Sequence, residues 1–425
     1  MNKNNAKPNR RRFLKQAACL WAAAPALWGT GQASASLAPN EKIAIAVVGN
    51  GGMGNYHLDA LIPRQDIEIA AVCDVYIPRY EAAVKKVGGR CQGYQDYRRV
   101  LDRQDIDAVF FATPDHWHTL HAIHGCQAWK DVYVEKPLST TIHEGRKIVE
   151  NARRYDRVVQ VGLQQRSLDL FQKAIALVRG GKLGTITSAG AWIGPNGIMG
   201  YETPGDPPAG LDWDLWLGPA PWVPYSPQRF GGFRAFHDYA GGELTNWGAH
   251  LIDVVHWGLK KDRPLNISAA GGNFRVLSGS DDYEVIDIIY EYEGFTMTWK
   301  QAHNLEHYGK TYGTKFLGTG GELFIDRNSF IVKPDSLAIP ETKPEQYNWI
   351  DITTHHDNFF ECIRTRQRPH SDIEIGHRST SACLLGNIAL SCRRKLVWDG
   401  EAERFIGDEQ ANRYLFRPYR APWHI

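Results

Sequence analysis

The stretch Ile43–Gly54 reads IAIAVVGNGGMG, a short apolar run followed by glycines in the spacing G-x-G-x-x-G. An unbroken apolar run of this length, bounded by glycines, is typical of a strand that is buried on both faces. A second apolar run, Ile67–Cys73, ends at Asp74, which stands 20 residues after Gly54. Glycines between a strand and a helix, with an acidic residue at this distance, form the fingerprint of a dinucleotide-binding βαβ unit. We therefore predict that the fold begins with such a unit.

Three glycines of this turn have distinct structural roles. Gly49 permits the tight turn, Gly51 lets the backbone approach a pyrophosphate, and Gly54 allows close packing of the helix on the strand. The helix that follows offers free N–H groups and the positive end of its dipole to the phosphates. The residues of this turn that are expected to contact the dinucleotide are Gly49, Gly51, Gly52, Met53 and Gly54.

The carboxylate of Asp74 is expected to select the form of the dinucleotide. It can accept hydrogen bonds from both ribose hydroxyls, and its charge would repel a 2′-phosphate. Arg79 lies five residues further on and could bind such a phosphate. The sequence therefore predicts NAD as the cofactor and leaves NADP as the alternative.

Short apolar runs continue to alternate with amphipathic stretches up to about residue 163. The predicted strands are Ile43–Val48, Ile67–Cys73, Ala108–Ala112, Val132–Val134 and Val158–Val161. The predicted helices are Met53–Leu61, Pro78–Val87, Tyr94–Leu101, His118–Trp129 and Ile142–Tyr155. Such alternation predicts a right-handed, parallel, doubly wound sheet, so residues 36–163 are interpreted as a Rossmann domain.

The pattern changes after Gln164. A helix is predicted at Leu168–Arg179, a strand near Thr187–Trp192, and a long ordered loop over residues 194–233, which are rich in Gly, Pro and Trp. Closely spaced strands then indicate an antiparallel sheet: Ile267–Phe274, Glu284–Tyr292, Phe295–Gln301, Thr314–Leu317 and Glu322–Phe324. Helices are predicted at Thr354–Thr365 and His377–Arg394. Residues 164–425 are thus interpreted as a second α/β domain.

Residues 1–35 have the composition of an export signal. They contain six of the 49 Lys and Arg residues and no acid, so the rest of the chain carries 43 basic and 47 acidic residues, a net charge of −4. That balance argues against a nucleic-acid partner. Arg10–Lys15 precedes twelve uncharged residues and then Ala33-Ser34-Ala35, an A-x-A cleavage pattern. Twelve residues are too few to span a bilayer, so no stable membrane insertion is expected.

The string Arg10–Lys15 resembles a twin-arginine (Tat) signal. It predicts export by the Tat machinery to the periplasm or another outer compartment. The alternative interpretation is a basic disordered tail.

Three further segments carry a family resemblance. They are Ala112-Thr113-Pro114-Asp115-His116-Trp117-His118, Glu135-Lys136-Pro137 and Gly241-Gly242-Glu243-Leu244-Thr245-Asn246-Trp247-Gly248-Ala249-His250. Together with the fingerprint they resemble the Gfo/Idh/MocA family, which contains glucose–fructose oxidoreductase and inositol dehydrogenase. The resemblance covers essentially everything after the signal. The stretches 376–379 and 417–423 resemble the Tat-exported bacterial branch of that family.

The resemblance implies a second domain with a large, mostly antiparallel, open sheet that supports the substrate pocket. It implies NAD(P)-dependent oxidation or reduction of sugars, polyols and glycosides, and assembly as a homo-oligomer, a dimer or a tetramer. Lys136 corresponds to the catalytic lysine of the family, and Asn246 and His250 correspond to its D-x-x-x-H pair. Asn246 replaces the aspartate and cannot take a proton, so the base is His250, Lys136 or both. Asp253 could orient the His250 imidazole or have an ordinary surface role.

The remaining expected cofactor contacts follow the strands of the first domain. They are Thr113, Pro114, His116, His118, Glu135, Lys136, Gln165 and Arg166. The spacing of His116, His118, His121 and His124 could suggest a metal site. On a helix, however, these side chains diverge around the cylinder, so no metal is predicted. Three tryptophans of the long loop could stack on a sugar ring or pack as scaffold: Trp213, Trp216 and Trp222.

Three functions compete. The first is a sugar, polyol or glycoside oxidoreductase in which Lys136 and His250 handle the proton. The second is an NAD-dependent glycoside hydrolase or lyase, which oxidises the sugar transiently, eliminates the aglycone and returns the hydride. The third is a non-catalytic dinucleotide-binding protein, which an unaffected Lys136→Ala variant would favour. Because an exported protein meets no maintained nicotinamide pool, the cofactor is expected to be tightly bound.

Overall fold

The computed structural model describes residues 42–194, 201–274, 279, 281–337 and 351–425. The predicted signal, residues 1–35, lies outside them. Within the described residues, six strands of the first half form one parallel sheet in the order β3-β2-β1-β4-β5-β6. They are β1 Ile43–Val48, β2 Ile67–Cys73, β3 Gln92–Tyr94, β4 Ala108–Phe111, β5 Asp131–Val134 and β6 Val159–Val161. This order is that of a doubly wound dinucleotide-binding sheet, as predicted.

Five helices connect these strands in the described chain. They are α1 Gly52–Leu61, α2 Ile77–Val87, α3 Tyr97–Leu101, α4 Asp115–Gln127 and α5 Ile142–Arg154. A capping box starts α5, since the Thr141 hydroxyl accepts from the Glu144 N–H while the Glu144 carboxylate accepts from the Thr141 N–H. The strands are buried on both faces, which explains why they read as apolar runs without alternation.

Several boundaries differ from the prediction, two of them by three residues at the start of a helix in the first half of the chain. Tyr94 belongs to strand β3, and α3 starts three residues later, where the Asp96 carboxylate caps the helix by accepting from the Arg98 N–H. Helix α4 starts at Asp115 rather than at His118. The second difference matters for function, because it places the first two histidines of the segment inside the first turn of a buried helix.

A second sheet follows in the order β13-β12-β11-β7-β10-β9-β8-β14-β15. Its strands in the described residues are β7 Ile186–Ile193, β8 Asn266–Gly272, β9 Val285–Tyr292, β10 Phe295–Gln301, β11 Tyr312–Gly318, β12 Gly321–Ile325, β13 Phe330–Lys333, β14 Leu396–Asp399 and β15 Arg404–Phe405. The pair β7–β10 is parallel and the remaining pairs are antiparallel. The predicted fold class, a Rossmann sheet joined to a mostly antiparallel sheet, is confirmed.

Helices cover one face of the second sheet. The described helices of this half are α6 Asp169–Arg179, α7 Trp213–Leu217, α8 Pro227–Gly231, α9 Gly242–Asn246, α10 Gly248–Leu259, α11 Thr353–Thr365, α12 Ile373–Cys392 and α13 Glu409–Arg413. Helices α6, α10 and α12 pack on the sheet and share its apolar core. Helix α11 returns to the first sheet, where Phe359 and Phe360 pack against Phe110. Among the described helices, none is long and apolar enough to cross a membrane.

Candidate active site

The glycine turn between β1 and α1 is shaped by close backbone contacts. Gly49 has a φ of +88°, and a Cβ atom there would lie 2.6 Å from the Ala112 carbonyl oxygen. A Cβ atom on Gly54 would lie 1.8 Å from the Gly49 carbonyl oxygen. A Cβ atom on Gly52 would meet nothing within 4 Å. The first two glycines therefore serve packing, while the start of α1 is left open to a ligand.

Asp74 lies at the carboxyl end of β2. Its Oδ2 accepts from the Asn50 N–H at 2.7 Å, and its Oδ1 accepts from the Tyr76 N–H at 2.9 Å. Burial raises the pKa of this carboxyl, whereas the two N–H groups and Arg79 act in the opposite direction. The Arg79 guanidinium lies 4.7 Å from the centre of the Phe230 ring. The carboxylate and the guanidinium thus line the same end of the site that the fingerprint predicts.

A cleft of about 330 Å³ runs along these elements. Most of the first-domain residues predicted for the cofactor line it: Gly49, Gly51, Gly52, Met53, Asp74, Thr113, Pro114, Glu135 and Lys136. The second half of the chain contributes Leu215, Trp216, Phe230, Phe233 and Arg234. The volume lies within the range of small-molecule sites, roughly 300–1,000 Å³.

Lys136 lines this cleft. Its Nζ donates to the Asn246 Oδ1 at 2.7 Å and to the Asn246 backbone oxygen at 2.9 Å. The Asn246 Nδ2 in turn donates to the Glu243 Oε2 at 3.1 Å. Burial, followed by the charge of Arg234, lowers the pKa of Lys136 to about 8. The structure therefore brings Lys136 into contact with Asn246, two of the three residues for which the resemblance implies a catalytic role.

His250 lies in the first turn of α10, close after Asn246. Its side chain is buried, and its Nδ1 has no hydrogen-bond partner among the described residues. Burial holds the pKa of this imidazole well below its ordinary value, and the charge of Lys136 lowers it further. Both effects favour the neutral imidazole over the imidazolium.

The predicted role of Asp253 beside His250 is wrong, in both of its versions. Asp253 is buried, and its two oxygens accept from Arg166 Nε at 2.7 Å and Arg166 Nη2 at 2.8 Å. Ser379 Oγ donates to the same carboxylate at 2.6 Å. The Arg166 guanidinium is thus held in an ion pair and does not line the cleft. Gln165 is different, since its buried amide has no hydrogen-bond partner in the described part of the chain.

The expectation that His116 and His118 line the cleft is also wrong. His116 Nε2 lies 3.0 Å from the Trp216 carbonyl oxygen, with the ring between Trp216 and Tyr239. His118 bridges two loops, because its Nε2 lies 2.8 Å from the Thr113 oxygen and its Nδ1 lies 2.6 Å from the Pro137 oxygen. Both rings are buried behind the cleft. Because α4 begins earlier than predicted, both histidines lie in its first turn, where they support the wall of the cleft.

The other two histidines of α4 also diverge. His121 stacks on Trp117, and His124 Nδ1 lies 2.8 Å from the Tyr97 hydroxyl. No group of three or more metal-ligating side chains is found in the residues that the structure describes.

Glu135 lines the cleft and is anchored in a buried polar network that the sequence did not indicate. Its Oε1 accepts from His57 Nε2 at 3.1 Å and from Gln164 Nε2 at 3.0 Å, and its Oε2 accepts from the Lys136 N–H at 3.2 Å. His57 Nδ1 lies 2.9 Å from His356 Nε2 on α11. Burial opposes ionisation, but the His57 hydrogen bond lowers the pKa of Glu135. The network fixes the backbone that carries the lysine.

Residues 201–239, here called the cover segment, lie over the outer end of the cleft. The Ile77 N–H donates to the Gly210 oxygen at 3.0 Å, and the Asp212 N–H donates to the Val75 oxygen at 3.0 Å. Trp213 and Trp216 stack with ring centres 4.6 Å apart inside an aromatic cluster. Trp213 therefore packs as scaffold, Trp216 belongs to the cluster and also lines the cleft, and Trp222 is exposed.

Residues 417–425, here called the tail, hold the cover segment from outside. Arg420 Nη1 donates to Asp214 Oδ1 at 2.6 Å, and its Nε donates to the Gly218 oxygen at 3.0 Å. Trp423 packs edge-on against Trp117 of α4, with ring centres 4.9 Å apart. The tail thereby joins the cover segment to the first domain. Sequence patterns gave no signal for this connection, because it depends on single long-range contacts.

The residues present fit a nicotinamide dinucleotide. The open start of α1 suits the pyrophosphate, and Asp74, which lines the cleft, suits a ribose. The parallel sheet, its glycine turn and the partly buried lysine together define a dinucleotide-binding α/β protein with a second, sheet-based domain.

Residues 43–163 match the family model described as the NAD-binding Rossmann fold of the oxidoreductase family, and residues 190–425 match its C-terminal alpha/beta domain. The chain belongs to the Gfo/Idh/MocA oxidoreductase family. The resemblance stated from the sequence is thereby confirmed.

Individual relatives match smaller parts of the chain. Inositol 2-dehydrogenase of Salmonella paratyphi B is 27% identical over 161 residues, which are 37% of this chain and 48% of that protein. Alpha-N-acetylgalactosaminidase of Shewanella oneidensis is 29% identical over 122 residues, 27% of each chain. The chain thus spans about half or less of the length of these relatives.

A solved structure extends the likeness to most of the chain. The aldose-aldose oxidoreductase from Caulobacter crescentus, complexed with glycerol, has a TM-score of 0.65 and covers 84% of this chain and 99% of its own. It is 18% identical, so the likeness concerns the fold alone.

Proposed function

We propose that this protein transfers hydride between NAD(P) and a secondary alcohol of a sugar, polyol or glycoside. The observation that carries the proposal is the Lys136 amine, which is partly buried, lines the cleft and is held by Asn246. The inositol 2-dehydrogenase relative, which matches 37% of this chain, supports the same chemistry.

Asn246 prepares Lys136 to act as a base. A neutral amine has two N–H groups and one lone pair. The two oxygens of Asn246 accept both N–H groups, so the lone pair is left for the proton of the substrate hydroxyl. A pKa of about 8 keeps a useful fraction of the amine neutral near neutral pH.

His250 presents a neutral imidazole near this amine. Because its Nδ1 has no partner among the described residues, the ring is free to choose its tautomer and to share the proton. The bound nicotinamide would supply the hydride acceptor or donor. Gly51, Gly52 and Asp74 would hold the dinucleotide along the cleft.

The direct test compares Lys136→Met with a matched lysine variant. Lys147→Met removes a lysine on the surface of α5 and leaves the site intact. We expect Lys136→Met to lower kcat by about 100-fold or more, the usual contribution of a positioned proton-transfer group. Bound-cofactor absorbance is followed with a panel of hexoses, polyols and β-glycosides. Near-normal turnover by Lys136→Met would refute the assignment.

A second candidate function is glycoside cleavage through transient oxidation. The alpha-N-acetylgalactosaminidase relative from Shewanella oneidensis supports it. The same amine and imidazole could remove the proton that the transient ketone acidifies. Product analysis separates the two functions: a ketosugar with stoichiometric reduced cofactor indicates a dehydrogenase, and a free sugar without net redox change indicates a hydrolase.

We further propose that the protein is exported by the Tat route with its cofactor already bound. The cover segment lines the cleft with Trp216 and Phe230, and Arg420 of the tail bonds to this segment. These contacts favour slow release of a bound dinucleotide. Protein from the exported fraction should retain nicotinamide through extensive dialysis and release it on denaturation. Protein that is empty, or found only in the cytoplasm, would contradict this proposal.

A further inference from the structure

Arg327 lies in the turn of the hairpin formed by β12 and β13. The Asp326 Oδ1 accepts from the backbone N–H groups of Asn328 at 2.8 Å and Ser329 at 2.5 Å, which fixes the turn. The Arg327 guanidinium lies 4.8 Å from the centre of the Trp247 ring. Trp247 directly follows Asn246, the residue that holds the catalytic amine. The hairpin therefore delivers a cation from the second sheet to the neighbourhood of Lys136.

This guanidinium has no ion-pair partner in the described chain. Its Nε is enclosed and makes no hydrogen bond there. Burial lowers the pKa of Arg327 to about 10. The Arg327 side chain is partly buried, and a charge withdrawn from water without a counter-charge is costly, so such groups are normally paired. The Arg327 guanidinium is thus placed as a group that pairs with a bound ligand.

The acidic residues nearby do not supply that partner. Asp326 uses its Oδ1 on the turn, and its Oδ2 lies 3.7 Å from Lys310 Nζ. Glu135 is engaged by His57 and Gln164 on the other side of the lysine backbone. The guanidinium lies over the face of the Trp247 ring. This face attracts a cation but carries no negative charge that could neutralise it.

A second arginine adds to the positive character of the region. Arg234 lines the cleft, with its guanidinium 4.7 Å from the Phe233 ring, and it makes no ion pair among the described residues. Asp115 is the acid that lines this part of the cleft, and its Oδ2 is buried without a hydrogen bond there. The three cationic side chains Lys136, Arg234 and Arg327 therefore outnumber the carboxylates of the described residues that are available to pair with them in this region.

We infer that the substrate is an acidic sugar, whose carboxylate is bound by Arg327 while a ring hydroxyl reaches Lys136. The inference rests on the proposed function and narrows its substrate class. A guanidinium offers a planar pair of N–H donors that matches the two oxygens of a carboxylate, so it selects a sugar acid over the parent sugar.

The test uses matched pairs of acidic and neutral sugars. D-glucuronate is compared with D-glucose, and D-galacturonate with D-galactose, while glucose 6-phosphate reports whether a phosphate replaces the carboxylate. In the wild-type holoenzyme we expect kcat/KM at least about tenfold higher for the acid of each pair, the size of one charged hydrogen bond. Arg327→Met should remove this preference, while the affinity for the neutral sugar, measured by calorimetry, should change by less than about threefold. Arg327→Lys should restore part of it.

The control is Lys333→Gln, which removes an exposed cation from the same hairpin. It should leave the preference unchanged. Thermal melting and the amount of retained cofactor show whether each variant is folded. If Arg327→Met does not fold, Arg327→Lys takes its place in the comparison. A wild-type preference for neutral sugars, or an equal loss on both members of a pair, overturns the inference. A preference for the phosphate alone overturns the carboxylate assignment.

Binding separates this inference from the proposed function. Calorimetry with D-glucuronate and D-glucose needs no turnover, so it still measures the Arg327 contribution if no sugar is oxidised. Tight binding of the acid, lost in Arg327→Met, supports the acidic site even where hydride transfer fails. Absence of any difference between the acid and the neutral sugar overturns the acidic site, whatever the catalytic result.

Discussion

The contact between Lys136 and Asn246 offers a sharp test of the proposed base. Replacing Asn246 by Asp puts a negative charge where the amide oxygen now lies, 2.7 Å from the Lys136 Nζ. It also restores the aspartate of the family's D-x-x-x-H pair. The new charge stabilises the ammonium form of Lys136, so its pKa must rise from about 8.

The size of this rise can be bounded from the distance. At 2.7 Å, two unit charges attract by about 1.5 kcal/mol at the dielectric constant of water and by about 6 kcal/mol at an effective value of 20. Since one pKa unit corresponds to about 1.4 kcal/mol, the lower bound is a rise of about one unit. Lys136 acts as a base only when neutral, so the rate of alcohol oxidation increases as pH rises through this pKa. At pH 7.5, a rise of one unit lowers the neutral fraction about eightfold.

The assay is the pH dependence of kcat/KM for alcohol oxidation. Its rising limb should move to higher pH by at least about one unit in Asn246→Asp. One complication is that the new carboxylate would lie near Glu243, which now accepts from the amide. The double variant Asn246→Asp/Glu243→Gln restores a donor there and should show the full shift. Asn246→Ala, which adds no charge, is the matched control. A profile that coincides with the wild type, or moves to lower pH, would show that Lys136 is not the titrating base.

Three further predictions follow from contacts described above. Asp74→Asn should weaken NADH binding by about tenfold and narrow the difference between NADH and NADPH, as measured by calorimetry, because a charged hydrogen-bond acceptor is lost; unchanged selectivity would contradict it. Arg166→Met should lower the free energy of unfolding by about 3–5 kcal/mol in urea titrations, because the buried Asp253 carboxylate loses its partner; a loss no larger than that of an exposed arginine, Arg404→Met, would count against it. Trp423→Ala should speed release of bound cofactor during dialysis while kcat stays unchanged, because the tail loses its contact with Trp117; an unchanged release rate would disprove the role of the tail.

Local patterns accounted for most of the fold. The run Ile43–Val48 is buried on both faces, so its composition alone identified an interior parallel strand. Strand Gln92–Tyr94 escaped detection because three residues at the edge of a sheet carry too little periodicity. Strand alternation in Val285–Tyr292 was clear because one face is buried and the other exposed. The cover segment was predicted only as a loop, since its short helices are set by tertiary packing.

The sequence likewise predicted only part of the candidate site. Residues in motifs, such as Lys136 and Asn246, were found because their spacing is shared with a known family. Arg327 was not, because a single arginine in a hairpin turn has no local signature, and its importance depends on Trp247, 80 residues earlier. The pair of Arg166 and Asp253 was missed for a similar reason, since 87 residues separate its members. Sequence spacing predicts contacts within a helix or between neighbouring strands, but it does not predict such long-range pairs.

The position of the tail in the chain sets an order of events during synthesis. The residues that form the floor of the cleft end by 163, whereas the tail begins about 250 residues later. At translation rates of about 5–20 residues per second, the floor is complete roughly 13–50 s before Arg420 and Trp423 can attach the cover segment. A dinucleotide therefore has an interval in which to enter an open cleft, and the last contacts to form are those that close it.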